Sequence, residues 1–201
     1  MKKTVVCIIG LTLLLLSSNT LAQDSSSGEG IYDIQQDAAV LSAGVDMTLK
    51  IAGIDGESLI TGHEDEIDIL SWSWGMSQAG TMHVGGGGGT GKVDIEDISL
   101  VKYVDKSSAS LMLACASGAH LAEAVLTVRK SGANPLDYLV ITMSPVLVTS
   151  VSTGGSSGEY RLTENITLNC SKIKVSYTPQ KADGSADASV DFNWNIETNT
   201  E

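Results

Sequence analysis

Between Met82 and Ile98 the chain reads MHVGGGGGTGKVDIEDI, five glycines and then Thr90-Gly91-Lys92. From Gly86 to Gly91-Lys92 this keeps the Gly-x-x-x-x-Gly-Lys spacing of a loop that cradles nucleotide phosphates. Such a loop closes on a Ser or Thr whose hydroxyl holds magnesium, and here Val93 stands in that place. It must also lead into a helix, whose N-terminal N–H groups favour the anion. VDIEDISLV instead alternates like a strand and puts Asp94, Glu96 and Asp97 where phosphates would lie. Nucleotide binding is excluded on both counts.

Two other clusters imitate chemistry. Gly154 to Gly158, GGSSG, has the form of the elbow that presents a nucleophilic serine, but that fold needs a histidine later in the chain. His63, His83 and His120 all precede Ser156. His63-Glu64-Asp65 has cation-ligand types without the paired spacing that sets two ligands on one helix face, and it reads as a polar turn. The expectation is therefore no catalytic residue, no cofactor site and no metal site.

The chain opens with Lys2 and Lys3, an apolar run from Val5 to Leu16, and small residues up to Ala22, the pattern of a secretory signal at 1–22. The run is shorter than the roughly 20 apolar residues that span a bilayer, so no membrane insertion is expected. Residues 23–43 are rich in Ser, Asp, Gly and Gln and read as a flexible linker; a single domain is expected over 44–201. The 201-residue chain carries 12 Lys and Arg against 24 Asp and Glu, a formal charge of −12. Loss of the leader, which holds two lysines and no acid, leaves the remainder more acidic still. Such a surface repels nucleic acid. Cys115 and Cys170 follow the leader; two cysteines do not staple a fold, and both read as packed thiols rather than a disulfide.

The elements that would position any site are mostly strands. VDMTLKI alternates with Val45, Met47, Leu49 and Ile51 on one face, and strand side chains repeat every two residues. In EIDILSWSWGMS the same period groups Ile67, Ile69, Ser71 and Ser73 against Asp68, Leu70, Trp72 and Trp74. The tryptophan face is expected to cover the core, leaving the Ile and Ser face partly exposed or at an interface. KVDIEDISLVKYV slips phase near Glu96-Asp97, as a bulged strand does. A helix is expected over 108–117, with Ser107 or Ser108 as N-cap, Leu111, Met112 and Cys115 at helical spacing, and Gly118 as its stop. AEAVLTVRKSG, DYLVITMSPVLVTSVS, RLTENITLNCSKIKVSYTP and VDFNWNIE return to strand character.

In this order, the segments LKIAGIDGES, IDILSWSWGMSQAGTMHVGGGGGTGKV, LVKYVDKSSASLMLACASGAHLAEAVLTVRKSG, LDYLVITMSPVLVTSVSTGGSSGEYRLTENITLN and SYTPQKADGS closely resemble the haemolysin co-regulated protein (Hcp) family, tube subunits of type VI secretion systems. The resemblance runs from about Val45 to Asn195. It implies a two-sheet antiparallel β-barrel with one short flanking α-helix, assembling as a hexameric ring. The implied partners are five further copies of the chain, a VgrG-type spike, a contractile sheath and small effector proteins carried in the lumen. Ser71 and Ser73 are candidates to face that lumen. The glycine run Gly85, Gly86, Gly87, Gly88 and Gly89 is a candidate subunit-contact loop. Typical family members lack such a leader, so two routes stand open: export through the periplasm, which leaves a second reading as a ring acting as an effector-binding chaperone or periplasmic binding module, or a downstream translation start with passage from the cytoplasm to the outside by type VI secretion.

Overall fold

The computed structural model describes residues 44–80, 92–132 and 134–201. The leader, the linker and the glycine run lie outside the described residues, as does His83. Strand β1 (Val45–Ile51) pairs along its whole length with β7 (Ala124–Lys130), from Val45 opposite Lys130 to Ile51 opposite Ala124. Its other side meets β2 (Ile67–Ser73) at only two positions, Thr48 opposite Asp68 and Leu49 opposite Ile67. The sheet then runs β2 to β5 (Ile98–Tyr103), β5 to β9 (Thr163–Tyr177), β9 to β8 (Leu136–Gly154) and β8 back to β7, every pairing antiparallel. Six strands thus close a barrel, which leaves no free edge within the circuit.

Two strands outgrow that circuit. β8 has 19 residues and β9 has 15, and they pair from Leu139 opposite Tyr177 to Gly154 opposite Thr163. The first half of β9 lies between β8 and β5. Its second half lies between β8 and β10 (Val190–Asn195). The two-residue β6 (His120–Leu121) adds to β8. A separate ribbon joins β3 (Met76–Ser77) to β4 (Asp94–Ile95). The phase slip at Glu96-Asp97 is therefore a break between two strands in different sheets, not a bulge within one.

Leu49, Ile67, Leu100, Leu126, Met143 and Ile166 are among the fully buried residues of a single barrel core. Helix α1 (Ser108–Ser117) closes over this core with Leu111 and Ala114, while Met112 and Leu113 face outward. Gly118 ends it in the left-handed conformation at φ 63°, its N–H turned back to the Ala114 and Cys115 carbonyls, as a glycine stop does. The N-terminus differs from expectation. Ser107 makes no side-chain cap; Asp105 accepts from the Ser107 N–H and hydroxyl instead.

Strand β2 corrects the simple period. Ile67 and Ile69 are both core residues, yet Trp72 and Trp74, of opposite parity, also pack on the core. The ladder with β5 shifts register between Ile69 and Ser71, so Leu70 is an extra residue that turns the strand's inner face from odd to even numbers. Asp68 and Leu70 are consequently exposed with Ser71 and Ser73. The tryptophans cover the core as expected, and the isoleucines do so too.

Candidate functional site

The bulge at Leu70 creates the feature with functional promise. Once the inner face switches, Ser71 and Ser73 point outward beside the outer residues of three further strands. Ser73 stands opposite Ser99, Ser99 opposite Thr167, and Thr167 opposite Ser150. The adjacent row runs Ser71, Val101, Asn165, Ser152. Seven of these eight side chains are small hydroxyls or an amide, none is charged, and none belongs to the core. At the β8 and β9 side the wall ends on Asp97, which accepts from the Thr149 hydroxyl at 2.6 Å and the Asn169 amide at 2.7 Å. The Thr149 and Thr167 hydroxyls share a hydrogen bond of 2.8 Å. Such a surface offers weak, exchangeable hydrogen bonds, with the Asp97 carboxylate confined to its edge.

Beneath this wall lies a polar cluster that the periodicity already marks. Ile98, Leu100 and Lys102 share the inner face of β5, as Glu164, Ile166 and Leu168 share that of β9. Lys102 and Glu164 are direct cross-strand partners. Lys102 Nζ donates to Glu164 Oε1 at 2.7 Å, Asp105 Oδ1 at 2.8 Å and the Tyr103 carbonyl at 2.7 Å. The Ser108 hydroxyl donates to Glu164 Oε1 at 2.7 Å and accepts from the Asp105 N–H at 3.1 Å. One buried ion pair thus ties two barrel strands to the first turn of α1. The sequence reading did not single out this pair; its signal is a lysine and a glutamate in core phase, Lys102 two residues after Leu100 and Glu164 two before Ile166.

The imitation motifs do not assemble. Lys92 leads into β4, a strand, so the phosphate-loop geometry is absent on that side. Ser156 sits in the turn between β8 and β9, where its N–H meets Glu159 Oε2 at 3.4 Å. His63 is elsewhere, with Nδ1 at 2.9 Å from Glu66 and Nε2 at 3.4 Å from Asp137, and His120 lies in β6 opposite Leu147. Among the described residues no group of three or more His, Cys, Asp or Glu side chains is placed to hold a metal ion. Cys115 and Cys170 are free thiols. Burial and the nearby Asp97 push the Cys170 thiol up to about 11. It is protonated and unreactive at neutral pH.

A sequence profile described as type VI secretion system effector, Hcp, matches residues 48–177, from β1 to the last residue of β9. This chain belongs to the Hcp family. Protein hcp1 of Pseudomonas aeruginosa is 57% identical over 159 residues, which are 78% of this chain and 98% of that protein. Hcp1 from Salmonella typhimurium has a crystal structure 38% identical, with a TM-score of 0.64 over 78% of this chain and 97% of that one. A type VI secretion system effector from Yersinia pestis is 31% identical, with a TM-score of 0.62 over 75% of this chain and 99% of that one. The closed barrel with one flanking helix is thus the Hcp fold. Both the hydroxyl wall and the Lys102–Glu164 pair lie inside the stretch that the Hcp profile covers.

Proposed function

We propose that this chain is a structural tube subunit of a type VI secretion system, closing as a homohexameric ring whose pore is lined by the Ser71 and Ser73 wall. The observation that carries the reading is the pair of aligned rows from β2 across β5 and β9 to β8, small, uncharged and polar at every position but Val101, on an otherwise strongly acidic chain. One heterologous interface repeated through six copies closes a ring, and four adjacent strands give each copy a broad face to turn inward. Rings of this kind stack beneath a VgrG-type spike, inside a contractile sheath, with small effector proteins in the lumen, and are secreted with them. The glycine run at Gly85 to Gly89 serves a subunit contact. No residue is assigned a catalytic role. Residues 1–22 act as an export leader and 23–43 as a linker to the domain at 44–201.

Multi-angle light scattering of the full chain tests the ring. A mass of six subunits is expected, and a monomer at all concentrations would remove the reading. The neutrality of the wall also favours a second role, in which an exported ring holds an effector as a chaperone does. N-terminal sequencing of protein from periplasm and culture fluid separates the two routes: a start at Gln23 supports export through the leader.

A further inference from the structure

We propose that Asp97 is a positioning residue for the wall: it clamps the inserted residue Thr149 and so fixes which side chains of β8 face outward. The wall matters because of the tube reading, on which this inference rests; the clamp itself is tested apart from ring closure. Val146 and Val148 of β8 are both buried in the core. Continued at a period of two, that phase would send Ser150 and Ser152 inward and Val151 out. The structure shows the reverse. Val148 stands opposite Leu168 and Ser150 opposite Thr167, consecutive residues of β9, so Thr149 is an extra residue with no ladder partner. Thr149 and Ser150 are both exposed, after which Val151 packs on the core and Ser152 faces out. A like slip occurs at Leu70 in β2. Both outer strands of the four-stranded wall thus present their serines through one inserted residue.

Burial of Val151 calls for an inserted residue somewhere after Val148, but apolar burial has no direction that would pick one residue over the next. Hydrogen bonds do. Asp97, one residue before β5, uses both of its oxygens: Oδ2 accepts from the Thr149 hydroxyl at 2.6 Å and Oδ1 from the Asn169 amide at 2.7 Å. A hydroxyl has one proton to give. That of Thr149 goes to the carboxylate, so the 2.8 Å bond between Thr149 and Thr167 is donated by Thr167. A directed chain therefore runs from Thr167 of β9 through the inserted residue of β8 to the lead-in of β5, with Asn169 as a second tie to β9. Its last link, to an ionised acceptor, is of the stronger kind. Held there, Thr149 leaves Ser150 in the row with Thr167, Ser99 and Ser73. Without the carboxylate, the insertion is free to move along β8 and Ser150 and Val151 lose their fixed places.

The test is alkylation of the full chain carrying Val151→Cys, with each cysteine followed by site-resolved mass spectrometry. In a second chain that adds Asp97→Ala, labelling at position 151 should quicken by about tenfold or more, the effect of losing a hydrogen bond to a charged group on a local opening. Native Cys115, packed on the same core from α1, should keep its rate, because only a general loosening of the barrel would expose it. Thr149→Val, which keeps the shape and removes the hydroxyl, should reproduce the change, and Asp97→Ala with Thr149→Val together should go little further than either alone, as two members of one contact do. An unchanged rate at position 151 in Asp97→Ala, full additivity of the two replacements, or acceleration of Cys115 in step with position 151 overturns the proposal. Light scattering of the same samples reads the ring separately: the clamp found in a chain of monomer mass stands, while the tube reading falls.

Discussion

Lys102 Nζ and Glu164 Oε1 lie 2.7 Å apart between two side chains that are 0% exposed, on residues that face each other across β5 and β9. Their attraction offsets the desolvation of both charges, so either one alone is a liability. Lys102→Met or Glu164→Gln should each lower stability by about 3–5 kcal/mol, because a charge or its partners are left uncompensated in the core. The double replacement Lys102→Met with Glu164→Leu should recover part of that loss, since Asp105, 7% exposed, still loses its lysine. Urea unfolding of the four proteins measures it; single replacements costing under about 1 kcal/mol would mean the pair is as weak as a surface one.

Gly56 lies against the backbone at the start of β2. A Cβ built there would fall 2.2 Å from the Glu66 carbonyl oxygen and 2.5 Å from the Ile67 Cα. Backbone cannot step aside as a side-chain tip does, so Gly56→Ala should destabilise by about 1–3 kcal/mol. Gly158→Ala, with nothing within 4 Å of its Cβ, serves as the control. Equal thermal melts for the two variants would show that the loop yields freely.

Most of the barrel is legible in the chain because its strands obey the two-residue period and its helix carries a glycine stop at Gly118. What period alone could not show is where the period breaks. The extra residue at Leu70 makes Ile69 and Trp72 both inward-facing, a fact fixed by the register against β5 and not by any single residue's preference. The break at Glu96-Asp97 was visible as a slip, but its meaning, a change of sheet, depends on β3 reaching back to pair with β4. Ser71 and Ser73 were legible as a small polar face. Ser99, Thr167, Asn165, Ser150 and Ser152 were not, since neighbours across a sheet are set by long-range pairing.

Asp137, held by Arg129 and His63, gives the fold one acid-dependent contribution. Burial pushes its carboxyl up, but the Arg129 hydrogen bonds and charge, with His63, outweigh burial and hold it below the ordinary range. A carboxylate depressed in the folded state stabilises above its unfolded value, about 3.9, and that contribution is lost as pH falls through the lower folded value. The stability gap between the native chain and Asp137→Asn should therefore be constant near neutrality and shrink below about pH 4. The effect is modest because the side chain is 35% exposed and solvent screens it. Thermal melts from pH 7 to pH 2 follow the gap; a gap independent of pH would contradict the assignment.

Cys170, packed against the barrel core, offers a chemical check on the packing of β9. With its thiol pushed up to about 11, the reactive thiolate is scarce at pH 8, and alkylation should run about a hundredfold slower than in the unfolded chain. Site-resolved mass spectrometry of iodoacetamide labelling gives the rate. Labelling as fast as in urea would show that β9 is open there.

The most direct test of the central claim is an electron cryomicroscopy map of the assembled full chain. The account predicts a six-fold ring with the Ser73, Ser99, Thr167 and Ser150 row on the wall of the pore. A ring with that row buried between neighbouring subunits, or turned to the outside, would contradict it.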